Sequence, residues 1–320
     1  MKYALGIDIG GTKCAVTVGS IENGSINIVD KKGFLTASIA DTDDFFASIF
    51  GIIDEFKLRH EFSAIGISCG GPLDENKGII LCPPNLPFLH YVKIVDKLTE
   101  RYGVPAYLRN DANACTLAEW LFGAGRGTEN MVFLTFGTGL GAGLILNGQL
   151  YSGTNGNAGE VGHIRLSDNG PSGYGKAGSF EGFCSGQGIA QLGYTLGLEA
   201  VQNGKMPSYF KDGRPSAEIS AKDIAAAADR GDEAAIGVYA AVGKYLGRGL
   251  SILIDILNPE RIVIGSIFRM TQHLMIDNCL KEIKREALSF SAERCEITAS
   301  ALGESIGDVA ALAAAVYNNR

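Results

Sequence analysis

Twice the chain writes an apolar run, a glycine-rich turn and a second apolar run: "ALGIDIGGTKCAVTV" from Ala4 and "MVFLTFGTGLGAGLILNGQLY" from Met131. Short apolar runs bounded by glycines read as buried strands, and turn glycines let the backbone reverse tightly and approach a ligand with no side chain in the way. Main-chain N–H groups in such turns point at anions. In the first turn Gly10 and Gly11 supply bare backbone, Thr12 a hydroxyl and Lys13 a positive charge, with Asp8 just upstream. A carboxylate repels phosphate unless a divalent cation lies between them, so this set points to a Mg-nucleotide. An ordinary hairpin with Asp8 capping its turn is the alternative left open by this stretch alone.

In the second turn Gly137, Gly139 and Ala142 meet the G-x-G-x-x-G/A spacing of a dinucleotide fold. That fingerprint requires a helix next, and the strand-like "LILNGQLY" follows instead. What remains is a second phosphate-gripping hairpin, with Gly137, Thr138 and Gly139 at its turn. Recurrence at about half the chain length implies two related lobes rather than a solenoid, whose period is roughly 20 to 50 residues. The length of 320 residues accommodates two domains.

The segments between alternate. "DTDDFFASIFGIIDEFKLRH" has helical apolar spacing behind an Asp or Thr cap, "AIGISCGG" is a short strand, "VKIVDKLTERYG" a helix and "PAYLRN" a strand. "DANACTLAEWLFGAG" then starts a helix with Asn110 or Asp111 as its cap. Further on come a Gly- and Ser-rich loop, Ser167–Ser179, and an irregular polar insertion, "QNGKMPSYFKDGRPSAE". Two helices follow, the first opened by Ser220 and Asp223 in capping-box order, the second broken at Asn258–Pro259–Glu260 before the strand "RIVIGS". The final helix, "ESIGDVAALAAAVY", is rich in small residues and suits close packing against another helix.

Composition removes whole classes of function. Hydrophobic residues at 46% and charged residues at 20%, with no long apolar window, are those of a soluble protein without a membrane partner. The net charge of -7 and the absence of Lys/Arg clusters argue against nucleic acid. Seven scattered cysteines read as small buried hydrophobes in a reducing compartment. The first residues show no secretory signal, so the cytoplasm is the expected location.

Asp111 stands where a strand ends and a helix begins. A helix N-terminus keeps a carboxylate ionised and able to accept a proton, as phosphoryl transfer to a hydroxyl requires of a base. Simple helix capping is the competing reading.

With "GIDIGGTK", "NDANA", "GTGLGAGLI", "GNAGEVGH" and Glu181 in "GSFEGFCSG", the chain resembles the ROK family of bacterial sugar kinases and sugar-responsive repressors. The resemblance runs from Ala4 to the "GE" near Gly303. It implies an α/β, two-lobed ribonuclease-H-like fold of the actin, Hsp70 and hexokinase superfamily, with a cleft between lobes that close over sugar and ATP with Mg2+. The expected lobes are 1–112 with 303–320, and 113–302. By position, Asp111 resembles the family's general base for a sugar hydroxyl, usually the 6-hydroxyl of a hexose. Asn110, Glu160, His163 and Glu181 match its sugar contacts, and Gly71 and Asn85 match positions on the opposite wall. A ring of such groups discriminates epimers by leaving a hydrogen bond unmet when a hydroxyl moves. Gly265 and Ser266 stand at the nucleotide end, where the family often has a run of glycines.

One departure stands out. Most members bind structural zinc through the histidine matching His163 and three cysteines, but here Ser172, Tyr174 and Ser179 occupy the cysteine positions. Cys184 alone cannot replace three ligands, so a zinc-free loop held by hydrogen bonds and packing is expected. Family repressors carry a winged-helix head before the first phosphate motif; only a few residues precede "GIDIGGTK", so a protein that does not touch DNA is expected. The expectation is an ATP-dependent hexose kinase, glucose first and N-acetylmannosamine, allose or fructose as rivals, acting as a homodimer. The alternative is a sugar-sensing or conformational ATPase module without sugar phosphorylation.

Overall fold

The opening glycine turn joins β1 (Tyr3–Ile9) to β2 (Lys13–Glu22) as an antiparallel pair in which Ile9 faces Cys14. The Gly10 N–H closes the turn on the Lys13 carbonyl at 3.1 Å. In this computed structural model, residues 3–22, 24–210, 215–216 and 218–318 are described. Part of the expected polar insertion, residues 211–214 and 217, lies outside them. The chain divides into two compact units, one of Met1–Thr128, Gly143–Ala158 and Ala301–Arg320, the other of Glu129–Ala142 and Gly159–Ser300. The first unit therefore runs past residue 112 and takes in the helix that follows.

In the first unit β3 (Ser25–Leu35) extends the meander, while β4 (Ile65–Cys69) lies parallel to β1. A small sheet of β5 (Leu73–Asp74), β6 (Ile79–Ile80) and β7 (Val92–Lys93) precedes β8 (Ala106–Asn110), which is parallel to β4. The order is β3-β2-β1-β4-β8. Ile9, Cys69 and Asn110 stand in one row across the parallel strands, so the segments holding Gly10, Gly71 and Asp111 all leave the sheet at its carboxyl end. Ligands of α/β sheets bind at that end.

Helix α1 (Thr42–Lys57) starts at Asp41, whose side chain accepts the Asp44 N–H, and buries Phe45, Ile49, Ile53 and Phe56 against Leu5, Ile7 and Val16. That spacing of three or four residues is one helical face. Helix α2 (Ile94–Tyr102) ends on left-handed Gly103, and α3 (Asp111–Phe122) starts from β8 with no intervening loop.

The second unit opens with β9 (Met131–Leu134); β10 (Ala142–Leu146) and β11 (Gln149–Tyr151) form a hairpin, most of it in the first unit. The expected Gly- and Ser-rich loop contains a small hairpin, β12 (Ser172–Gly173) with β13 (Lys176–Ala177). Helices α4 (Phe180–Phe183), α5 (Gly186–Gln202), α6 (Ala221–Asp229) and α7 (Glu233–Leu257) follow, α6 with the full Ser220–Asp223 capping box. Left-handed Asn258 stops α7. Strand β14 (Arg261–Ile264) is parallel to β9 and to β15 (Glu296–Ala299), the latter reached through α8 (Ile267–Glu286) and α9 (Ser289–Ala292). No helix among the described residues is long and apolar enough to cross a membrane.

The last helix, α10 (Ile306–Tyr317), belongs to the first unit. Its small residues pack against α3, as expected of a helix pair, and also against β1 and β4. There the sheet presents Gly6 and Gly66: a Cβ on Gly66 would lie 1.9 Å from the Ala311 carbonyl oxygen. Backbone meets backbone, which is why both partners are small.

Candidate active site

At the carboxyl end of the first sheet the α3 cap resolves the two sequence readings of "NDANA". Asn110 is the N-cap, its Oδ1 accepting the Ala112 N–H at 3.0 Å, and Asp111 is the first helical residue. The Asp111 side chain accepts the same N–H at 2.8 Å through Oδ1. Asp111 is exposed, yet desolvation by the neighbouring protein raises its carboxyl above the ordinary value, against the lowering effect of the N–H groups of Ala112 and Asp111. The result is a reachable carboxylate with raised basicity.

Asp8 is the second carboxylate here. Desolvation raises it to about 6, helped by the negative charges of Asp308 and Asp111 and opposed by a hydrogen bond from Ser68 and the charge of Lys13. It abuts the start of α10, where a Cβ on Gly307 would be 3.0 Å from Asp8 Oδ2. Asp308 accepts from Thr17 Oγ1 at 3.4 Å and Lys31 Nζ at 2.6 Å. Lys13, Thr12 and Gly11 are exposed on the turn, and a Cβ on Gly11 would come within 2.8 Å of Asn85 Cβ, so the glycine turn and the expected sugar contact Asn85 adjoin. Gly71 adjoins Asn110: its Cβ would be 3.6 Å from Asn110 Nδ2. Asp8, Gly11, Gly71, Asn85, Asn110 and Asp111 thus gather at one end of one unit.

The second turn folds in the second unit, with the Gly137 N–H on the Gly139 carbonyl at 2.9 Å. Glu181 Oε2 accepts the Leu140 N–H at 3.0 Å and lies 2.8 Å from where a Gly139 Cβ would be, so this expected sugar contact also braces the turn. Gly137, Thr138 and Ser266 share a cavity of about 460 Å³ completed by Gln187, Ala190, Ile219, Lys222, Tyr239 and Met270. The three were expected at the nucleotide; the other walls were not legible, because they come from α5, the segment entering α6, α6 itself, α7 and α8 and carry no motif. Gly265 lies behind, its N–H on the Leu134 carbonyl at 2.9 Å.

Ser266 holds φ 50° and ψ −114° at the N-cap of α8. A side chain there is strained, where glycine is not. Ser266→Gly is expected to raise the unfolding free energy by about 1 kcal/mol, read by urea denaturation.

Glu160 and His163 bracket a single helical turn, with the His163 N–H on the Glu160 carbonyl at 3.2 Å, and both side chains are exposed. The His163 ring meets Tyr174 edge-on at 5.2 Å. The loop that departs from the family pattern is held by hydrogen bonds: Ser179 caps α4, and Gln191 bonds both the N–H and the carbonyl of Ser172. Cys184 is buried and faces the Val242 carbonyl.

Sequence reasoning missed Glu75, whose carboxylate accepts the Asn110 N–H at 2.8 Å. It sits in the "LDENKG" turn, which reads as solvated, and no local signal marks it.

Paired phosphate-type turns and a carboxylate at the sheet's carboxyl end define a ribonuclease-H-like α/β protein of the actin and hexokinase type. The chain belongs to the ROK family, whose profile matches residues 4–316. A glucokinase of Halalkalibacterium halodurans is 31% identical over 315 residues, 96% of this chain and 92% of that protein. The DNA-binding transcriptional repressor Mlc of Escherichia coli is 29% identical over 252 residues, 75% of this chain and 58% of that protein. Among solved structures, a ROK family glucokinase from Streptomyces griseus in complex with glucose and AMPPNP superposes with a TM-score of 0.76 at 28% identity, covering 98% of this chain and 99% of that one.

Proposed function

We propose that this protein is an ATP-dependent hexose kinase that moves the γ-phosphoryl group to a sugar hydroxyl, the 6-hydroxyl, with glucose as first substrate. Glucokinase relatives and a neighbour holding glucose with a non-hydrolysable ATP analogue support the reading. The observation that carries it is the Asp111 carboxylate, accessible, raised by its surroundings and set at a helix start beside Asp8. A conformational sensor of sugar needs no such base.

In this reading Asp111 takes the hydroxyl proton as the oxygen attacks the γ-phosphorus and the bond to the departing ADP breaks, and Gly71, Asn85 and Asn110 hold the sugar. Glu160, His163 and Glu181 are carried as further sugar contacts by their match to the family's positions. The cavity beside Gly137, Thr138 and Ser266 takes the nucleoside. Asp8 suits Mg2+: desolvation and the neighbouring charge of Asp308 disfavour its ionised form, and a cation relieves that. No group of three or more His, Cys, Asp or Glu side chains able to hold a metal is found among the described residues, so the ion would draw its other ligands from phosphate and water, as Mg2+ commonly does. Bound there, it would neutralise charge on the transferring group. The expected dimer and cytoplasmic location rest on the family resemblance and on the sequence.

The test is ADP release on mixing the protein with MgATP and, separately, glucose, mannose, allose, fructose and the two N-acetylhexosamines. Turnover that depends on a hexose, fastest with glucose, is expected. ADP release indifferent to sugar would mark a conformational ATPase, and sugar binding without turnover a sensor.

A further inference from the structure

We infer that Glu75 is a positioning residue for Asp111, its carboxylate clamping the strand-to-helix junction from which the proposed base projects. The inference rests on the kinase reading above. Glu75 follows β5 by one residue, and its side chain is only 7% exposed. One oxygen, Oε1, accepts both the Asn110 N–H at 2.8 Å and Asn113 Nδ2 at 2.9 Å. The other accepts from Arg109 Nη1 at 3.5 Å. The residues before Asp111 and the residue two after it are therefore held by a single carboxylate.

The location of these bonds matters more than their number. Asn110 is the last residue of β8 and the N-cap of α3, so the chain turns from extended to helical at the peptide that aims Asp111. Among the described residues the Asp111 side chain is tied through its own terminus of the helix, accepting the Ala112 N–H. Its direction is inherited from the backbone, and Glu75 fixes that backbone. The same short segment carries Gly71, next to Asn110 Nδ2, so Glu75 also ties the Gly71 loop to the junction. Arg109 Nε and Asn113 Oδ1 are buried without a hydrogen-bond partner among the described residues. Removing Glu75 adds the Asn110 N–H to that unmet set and leaves Asn113 Nδ2 with only its 3.5 Å bond to Ser152 Oγ, and the junction must shift to find replacements.

A shift of about 1 Å at a catalytic group costs on the order of 10²-fold in rate while ground-state binding persists. The test uses the full chain with Glu75→Ala, Glu75→Asp and Glu75→Gln, measuring kcat per folded molecule with glucose and MgATP, and glucose affinity by calorimetry without nucleotide. Expected is a fall in kcat of about 30-fold or more for Glu75→Ala and about tenfold for Glu75→Asp, whose carboxylate is retracted, with glucose affinity within about threefold. Glu75→Gln keeps an acceptor oxygen in place and is expected to recover kcat to within about fivefold of the parent.

A kcat for Glu75→Ala within threefold of the parent, or kcat and glucose affinity falling in parallel, overturns the inference. Should Glu75→Ala fail to fold, Glu75→Asp decides, and parent-like turnover there has the same consequence. Asp111→Asn run alongside separates the two levels. If it stays active, the base assignment itself is wrong; if it is inactive while the Glu75 variants turn over normally, only the positioning role is lost.

Discussion

Asp111→Asn is expected to lower sugar phosphorylation by about 10²- to 10⁴-fold, the range in which a general base contributes, while sugar affinity stays within a few-fold. Asparagine keeps the shape and the hydrogen-bonding oxygen toward Ala112 but cannot take a proton. The fall therefore belongs in kcat rather than in binding, and calorimetry of sugar beside steady-state kinetics reads both. Loss of fold is not the expected cause. Desolvation by the neighbouring protein raises the carboxyl on folding, so the stability associated with its protonated form is present below the unfolded value of 3.8 and is lost as pH rises through the higher folded value. At neutral pH the ionised side chain thus disfavours the folded state, and the neutral amide removes that penalty. For activity the sign is the reverse: only the ionised form accepts a proton, so kcat should fall with decreasing pH through a value above 3.8. An acid limb at or below the ordinary aspartate value would contradict the environment described for Asp111.

The second large effect is on stability. Gly66→Ala should destabilise the protein by about 3 kcal/mol or more, because the added carbon meets backbone and no rotamer escapes it. Its nearest atoms would be the Ala311 carbonyl oxygen at 1.9 Å and the Ala315 nitrogen at 2.6 Å. Helix α10 would have to leave the sheet, and its first turn brings Gly307 and Asp308 to Asp8, so turnover should fall with stability. Gly51→Ala in α1 is the matched control: nothing lies within 4 Å of its Cβ. There the exchange should stabilise by roughly 0.5–1 kcal/mol, as glycine to alanine does in an open helix interior. Urea unfolding of both variants gives the comparison, and a mild cost at Gly66 would show that α10 packs less closely than described.

Much of the fold was readable because its signals are local. The turn at Gly10 and the cap at Ser220 depend on residues within a few positions of each other, and α1 announces itself through Phe45, Ile49, Ile53 and Phe56 on one face. Strand β3 escaped notice. It is mostly exposed, and Asp30, Lys31 and Lys32 interrupt any apolar alternation, so its pairing with β2 supplies what its side chains do not announce. The final helix was legible as a close-packing element through its small residues, but the glycines of β1 and β4 that receive it lie far upstream and carry no mark of that partnership.

The site divides along the same line. The residues by themselves determined which groups are chemically suited to phosphate and sugar: two glycine turns, a carboxylate at a strand end, and polar residues in family order. Only the tertiary structure decided that Ile9, Cys69 and Asn110 share a row, which brings the Gly10, Gly71 and Asp111 segments to one end of a sheet. It alone revealed Glu75 beneath the Asn110 junction and the cavity walls supplied by four helices. The physical reason is range. Turn and cap chemistry acts over a few residues and leaves a local pattern, whereas strand register, burial of a carboxylate and the shape of a cavity are set by contacts between distant segments, and they exist only once the chain has folded.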